Sequence, residues 1–425
     1  MTQTDLRADP AGDVAADPPV GDGPDPAADP LADEGKRSRL RAVLERATAS
    51  GHYRDAYAGI EVDALHAATD LEALPILRKQ DFVALQRDAP PFGGIMASGS
   101  RPDYLFVSPG PIHEPGFMTP AFWRMDRALR AAGFSASDIV HNTFSYHLTP
   151  GAWIFDSGAR ALGCATIPAG NAAMEQQIHA IRQYGASAYA GTPDFLKKLA
   201  EAYAQAGLGA FPIRRALVSG GAFTQGLQDH YRNIGIAVSQ CYATAELGLI
   251  ACDVADRASM RIDDDLIVEI VDPATGRGMP HGATGEVVVT TLRDDYPLIR
   301  FGTGDLSAFA PDVAADGAPA LVGWLGRSDQ AVKVRGMFVR PQQLEALRAD
   351  IDGLVRLRLV IDRENEQDSA VLFCGFASDE AAGDTTAREA DIAERVRRAC
   401  HVNIRISIVD ASTIVDDGKL IVDIR

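Results

Sequence analysis

In the stretch SQCYATAELGLIACD, residues 239–253, a ring, a hydroxyl and a carboxylate fall within five positions at Tyr242, Thr244 and Glu246. That set suits a nucleotide with its metal. The ring can stack on a base, the hydroxyl can touch a phosphate, and the carboxylate can hold Mg2+ between phosphates. A helix start with an acidic first turn accounts for the same residues. A second carboxylate stands in YPLIRFGTGDLS, residues 296–307, where Gly302 and Gly304 predict a tight turn presenting Asp305. Its two oxygens can accept from two neighbouring sugar hydroxyls. In GRSDQAVKVRGMFVRPQQLE, residues 326–345, Arg327 ends one unit and Ser328-Asp329-Gln330 forms a short polar joint before a new strand. Such a joint makes a good hinge, and Arg327 beside it can reach an anion in a cleft. Lys419, in DDGKLIVDIR, follows a glycine turn near the chain end; a solvated lysine is the plain alternative.

Two further stretches carry polar or aromatic groups in suggestive places. SPGPIHEP, residues 108–115, follows the apolar run Leu105-Phe106-Val107 and predicts a loop at a strand end, a common seat for phosphate in α/β chains. Pro111 offers no amide donor there, and Glu114 has the wrong charge. HNTFSYHLTPG, residues 141–151, brings Phe144, Tyr146 and His147 together, with Trp153 just beyond. These suit an aromatic ligand, and equally a packed core.

The elements that must position these groups follow from periodicity and turn chemistry. Leu40, Val43, Leu44 and Ala47 recur at helical spacing, with Gly51 as a stop. From about 100 to 300, short apolar runs alternate with helical stretches. MEQQIHAIRQYG places Met174, Ile178 and Ile181 on one face, and DFLKKLAEAYAQAG predicts a helix capped by Asp194 and stopped by Gly207. RRALVSGGAF reads as a strand ending in the pair Gly220-Gly221. The alternation predicts an α/β fold with a wound, mostly parallel sheet. LIVEIVDPATGRGMPHGATGEVVVTTL then predicts a β-rich hairpin, and the chain from about 330 predicts a compact α+β unit.

The charge of −17 excludes non-specific nucleic-acid binding, which needs a basic face. Residues 1–35 hold nine acidic residues against one basic and repeat Ala, Asp and Pro, which predicts a disordered tail. Five scattered cysteines without CxxC spacing predict free thiols in a reducing compartment. No apolar run approaches the ~20 residues of a membrane span, so a cytoplasmic protein with no membrane partner is expected.

Taken in order, these motifs resemble the adenylate-forming (AMP-binding) superfamily, and within it the phenylacetate–CoA ligase branch. GRSDQAVKVRG…VRPQQLE is the most specific match, followed by RFGTGD; GCATIPAGNAAMEQQIHAI and LEALPILRKQDF also look like that branch. The resemblance covers roughly residue 36 to the end. It implies a tail over 1–35, a large N-terminal domain over 36–327 and a small mobile C-terminal α+β domain over 328–425, joined at the hinge residue Asp329. It implies an AMP-forming ligase that uses ATP, Mg2+ and coenzyme A to activate a carboxylic acid, aryl or arylacetic by the aromatic cluster. Homodimerisation is left open.

Carried over by motif, Asp305 would bind the ribose and Arg327 its phosphate side. Tyr242 would line the adenine and acyl pocket, and Glu246 and Thr244 would serve Mg2+ and phosphate. Gly220 and Gly221 would admit the adenine, with Phe144, Tyr146 and His147 in the acyl pocket. Lys419 would stabilise adenylation and swing away afterwards.

Three departures stand against the family pattern. The phosphate loop, usually Ser-Ser/Thr-Gly-Thr-Thr-Gly-Lys-Pro, keeps Ser108, Gly110 and Pro115. It has Pro111 and Ile112 for the threonines and Glu114 for the lysine, with His113 as a partial substitute if protonated and Glu114 free to turn to solvent. A hydrogen bond to a charged group contributes about 1.5–3 kcal/mol, so these changes weaken triphosphate binding about a thousandfold. In YATAE, Thr244 is one place early; on a helix start that is a turn of about 100°. The chain also ends six residues after Lys419, which leaves nothing expected to form a further element. The altered loop keeps two other readings open: a protein that binds an acyl-adenylate or nucleotide without activating ATP, and an adenylyltransferase of the same superfamily.

Overall fold

The computed structural model describes residues 31, 33–49, 51–61, 64–65, 67–108, 111–221, 223–253, 259–311, 317–328, 332–334, 337–364, 367–378, 385–400, 402–415 and 420–424. The first helix runs Glu34–Thr48, and Asp33 caps it by accepting from the Lys36 amide. Leu40, Val43, Leu44 and Ala47 are its buried face. Leu31 is also buried, so ordered packing reaches into the expected tail; residues 1–30 lie outside the described residues. Gly51 opens the next helix, Gly51–Ala56, rather than only ending the first.

β1 (Leu77–Arg78) leads directly into the helix Lys79–Asp88. β2 (Tyr104–Ser108) and β3 (Ile112–Gly116) then pair as an antiparallel hairpin. The SPGPIHEP segment is therefore mostly strand, not the loop its turn formers predict. β4 (Ile139–Asn142), β5 (Ala165–Pro168), β6 (Ala188–Gly191), β7 (Arg215–Val218) and β8 (Ala237–Thr244) form the expected parallel sheet in the order β5-β4-β6-β7-β8. β6 is buried at all four positions, as a central parallel strand must be. The helix after it runs Pro193–Gln205 with Thr192 at the cap position, not Asp194. Pro193 takes the first helical position, where its fixed φ and missing N–H cost nothing.

β9 (Gly248–Asp253) and β10 (Met260–Ile262) extend this sheet antiparallel. β11 (Leu266–Val271), β12 (Gly285–Thr291) and β13 (Phe301–Ser307) build a second sheet, with the predicted hairpin between β11 and β12. β14 (Ala320–Leu321) returns to the first sheet beside β10, and β15 (Gly326–Arg327) pairs with β13. Among the described residues the first sheet has eight strands and the second five.

The last part of the chain pairs within itself. β16 (Val332–Val334) and β17 (Met337–Val339) form a hairpin, so AVKVRGMFV is two short strands rather than one. β18 (Leu354–Glu364), β19 (Gln367–Phe376), β20 (Arg405–Asp410) and β21 (Ile421–Asp423) form a sheet in the order β20-β19-β18-β21. β21 corrects the expectation that nothing follows Lys419: Ile421-Val422-Asp423 is β-branched enough to add a parallel strand to β18. Val334, Leu344, Leu359, Leu372, Ile392 and Val396 fill a hydrophobic core distinct from that of the larger sheets. Among the described residues no helix is long and apolar enough to cross a membrane.

Candidate active site

Tyr242 and Glu246 do not open a helix. Tyr242 and Thr244 end β8, Glu246 sits in the turn, and β9 begins at Gly248. Pairing of Tyr242 with Ala251 and Thr244 with Gly248 decides against the local helical reading. The turn is clamped from several sides. The Leu247 amide donates to Thr244 Oγ1 at 3.3 Å, and Arg124 Nη2 donates to the carbonyls of Leu247 and Leu249 at 2.7 and 2.9 Å. Gly248 has φ +71°, and a Cβ there would stand 2.7 Å from the Trp123 carbonyl oxygen, so only glycine fits. Thr244 Oγ1 thus serves the turn as an acceptor.

Asp305 is also delivered by a strand. Residues 301–307 are β13 throughout, because β12 and β15 flank them; the tight turn predicted at Gly302 and Gly304 is absent. Gly304 keeps φ +74°, and its open side faces the Arg327 guanidinium. Asp305 pairs across to Arg327. Its Oδ2 accepts from the Tyr242 hydroxyl at 2.8 Å, and its Oδ1 from Trp324 Nε1 at 3.1 Å and Arg327 Nη1 at 3.4 Å. Burial, and then the Asp305 carboxylate, push the Tyr242 phenol well above its ordinary range, so it remains a donor. The two sheets therefore meet at one carboxylate, fixed from both sides.

Glu246 is 6% exposed and lies in electrostatic reach of Tyr242. Its Oε1 faces Lys79 Nζ at 3.0 Å, while its Oε2 is buried with no hydrogen-bond partner among the described residues. Lys79 is held here because β1 runs parallel to β13, with Leu77 beside Phe301. Arg300 locks that arrangement: it donates to Glu269 at 3.0 and 2.8 Å and to the Leu74 carbonyl at 2.7 Å.

The β2–β3 hairpin closes the other side. Glu114 does not turn to solvent: it is 1% exposed, and its Oε1 accepts from Ser108 Oγ at 2.6 Å. Strand alternation decides this, since Glu114 and Ile112 share the inward face while His113 points out. Burial pushes the Glu114 carboxyl up to about 7; the Ser108 hydroxyl pulls it back and the Glu246 carboxylate adds to the rise. Gln86 fixes the hairpin by bonding both backbone groups of His113, at 2.7 and 2.8 Å.

Asp305 bonds Tyr242 directly and Glu246 acts on it electrostatically, so two carboxylates gather where the sheets meet. Residues 122–292 match the AMP-binding enzyme family. The phenylacetate-coenzyme A ligase of Thermus thermophilus is 27% identical over 335 residues, 74% of either chain. That of Aromatoleum evansii is 27% identical over 336 residues, 75% of either chain. The chain is thus similar, over about three quarters of its length, to the phenylacetate–CoA ligases, and its middle matches the AMP-binding family. A solved open conformation of 2-hydroxyisobutyryl-CoA ligase in complex with 2-HIB-AMP and CoA shares the fold: its TM-score is 0.80 at 24% identity, covering 92% of this chain and 91% of that one.

The remaining expected site residues fall as follows. Gly220 and Gly221 are exposed after β7, and Ser219 Oγ ties the segment to β8 by donating to the Cys241 carbonyl at 2.9 Å. A Cβ on Gly220 would come within 3.7 Å of Phe144, so the aromatic cluster and the glycine pair share one region. Phe144 stacks on Phe155 with centroids 4.4 Å apart, and Tyr146 meets Trp153 edge-on at 5.4 Å. His147 is exposed instead, with its amide donating to Ser145 Oγ at 3.3 Å. Gly110, Asp329 and Lys419 lie outside the described residues. Lys79, Gln86 and Trp324 are contributors that the motif reading missed. Lys79 had a usable signal, a lysine opening a helix within LEALPILRKQDF.

Proposed function

We propose that this chain is an AMP-forming acid–coenzyme A ligase. In the first step a carboxylate oxygen attacks the α-phosphorus of ATP, the α–β bridging bond breaks, and pyrophosphate leaves. In the second, the coenzyme A thiol loses its proton, attacks the acyl carbon of the adenylate, and displaces AMP. The observation that carries the reading is Asp305, held by Tyr242, Trp324 and Arg327, within one cleft with Glu246.

Asp305 offers its oxygens to the two ribose hydroxyls, and Arg327 faces the phosphate side. The exposed Gly220-Gly221 backbone admits the adenine ring edge, which a side chain would keep away. Glu246 fits a divalent cation, because its buried Oε2 has no other partner among the described residues. Mg2+, when bound, supplies neutralisation of phosphate charge. Phe144, Tyr146, Phe155 and Trp153 suit an aryl or arylacetic acid over a long alkyl chain. Lys419 provides the cation for adenylation, and residues 328–425 turn about Asp329 to take it away for the second step. The separate core of the last sheet supports that division.

The buried Glu114, in the place of the family's loop lysine, favours one rival: a nucleotide-binding protein that leaves ATP intact. Incubation with ATP, Mg2+, coenzyme A and a panel of aryl and short acyl acids separates the readings by product mass. The ligase gives AMP and an acyl-CoA, an adenylyltransferase gives an adenylylated compound, and the rival gives neither. We place the reaction in the cytoplasm, which suits five free cysteines. A homodimer, if formed, gives twice the 45.3 kDa chain mass by light scattering.

A further inference from the structure

Arg124 stands in a backbone conformation that an arginine rarely adopts. It has φ +58°, in the left-handed region, at the joint between the helices Pro120–Trp123 and Met125–Ala131. A glycine would take that φ without strain, and a strained residue kept in place points to a use for its side chain. That side chain is buried, and its guanidinium reaches four places. Nη1 donates to the Phe122 carbonyl at 2.9 Å, Nη2 donates to the carbonyls of Leu247 and Leu249 at 2.7 and 2.9 Å, and Nε lies 3.1 Å from Asp263 Oδ1. Asp263 is buried as well, and Arg127 also holds it, donating to both carboxylate oxygens at 3.0 Å. Two of the Arg124 contacts straddle Gly248, just after Glu246. Strand pairing is irregular here, with the register shifting between Tyr242 and Ala243, so the ladder alone leaves the turn loosely specified. The planar fork of an arginine serves three carbonyls at once, which the point charge of a lysine does less well.

We propose that Arg124 is a positioning residue for the nucleotide site. By pinning the two carbonyls after Glu246 it fixes where that carboxylate stands, and so how firmly the chain holds a polyphosphate with its divalent cation. The proposal rests on the nucleotide-site reading above and deepens it. Arg124 touches neither ligand itself; its effect passes through the turn. Asp305 stands in the second sheet, on β13, so AMP bound through its ribose serves as the internal control.

The test is calorimetric binding of AMP, and of a non-hydrolysable ATP analogue with Mn2+, to the full chain as wild type, R124K, R124G, E246Q and the double variant R124K/E246Q. R124K keeps a cation beside Asp263 and R124G relieves the strained φ, so the two together separate a lost contact from a lost fold. Both should bind AMP within about threefold of wild type and the analogue about 10- to 100-fold more weakly, the usual loss when a group that orients a ligand residue is removed. E246Q should weaken the analogue too, and R124K should add less than about twofold in that background, because the two act through one group. The proposal is overturned if R124K and R124G bind the analogue as wild type does, if they lose AMP and the analogue alike, or if the losses of R124K and E246Q multiply. Wild type that binds neither ligand overturns the nucleotide-site reading and the proposal with it. Wild type that binds both, with no product from any acid, overturns the ligase reading alone, and the variants' binding still decides the role of Arg124.

Discussion

Replacing Asp305 by asparagine keeps the side chain's size and removes one charge where three donors converge. In the wild type, Oδ2 accepts from Tyr242 at 2.8 Å and Oδ1 from Trp324 at 3.1 Å and Arg327 at 3.4 Å. An amide has one acceptor oxygen, so its NH2 must face either the tyrosine or the tryptophan and arginine, donor against donor. The ribose hydroxyls lose a charged acceptor at the same time. One hydrogen bond to a charged group contributes about 1.5–3 kcal/mol, which converts to about 10- to 150-fold in affinity. Calorimetry with AMP should therefore show a Kd raised by about that factor. In steady state the KM for ATP should rise while the KM for the acid stays within about threefold, because the ribose is bound alike before and during the chemical step. Tyr242→Phe removes one donor and leaves the carboxylate charged, so its effect should be the smaller. If folded Asp305→Asn binds AMP as tightly as wild type, the assignment of Asp305 to the nucleotide is refuted.

Other consequences concern stability and pH. Arg300 is 2% exposed and satisfies Glu269 through two nitrogens, so Arg300→Ala strands a buried carboxylate. Urea denaturation should show a loss of about 3–5 kcal/mol; a loss below about 1 kcal/mol would contradict the pair's role in holding β1 and Lys79. Asp253 lines a cavity of about 410 Å³ with Gln228, Tyr231 and Gln240, and burial raises its carboxyl to about 6. Because the folded chain holds that proton more tightly than the unfolded chain, stability falls as pH rises from about 4 to about 6, and the penalty persists above that. Partial exposure trims the penalty to about 1–2 kcal/mol. Asp253→Asn should gain that amount at pH 7.5 and nothing at pH 4, read from thermal melts at both values; equal melting at pH 7.5 would count against it.

How much of this was legible in the residues depended on how local the deciding forces are. Helix Glu34–Thr48 was readable because its buried face repeats within four residues, and β6 because a fully buried parallel strand is uniformly apolar or small. Tyr242–Glu246 and Phe301–Ser307 were misread as a helix start and a glycine turn. Each is held by strands distant in sequence, and Gly304, which suggested a turn, instead makes room for Arg327. Glu114, charged, was free to turn to solvent on local grounds, yet the hairpin's two-residue alternation turns it inward beside Ser108. Trp324 was invisible as a site residue, and Lys79 showed only as a lysine opening a helix. What gives them meaning is the register that sets β1 against β13, and the Asp305 carboxylate within reach of the Trp324 indole.

Acid-dependent exchange of labelled pyrophosphate into ATP, compared between wild type and Lys419→Ala, reads the adenylation step alone. Wild type should exchange only when its acid is present. Lys419→Ala should lose about 10²–10³-fold of that rate, the usual effect of one aligned electrostatic group, and still form thioester from a supplied acyl-adenylate. Exchange by Lys419→Ala at the wild-type rate, or no exchange by wild type with any aryl or short acyl acid, would contradict the account.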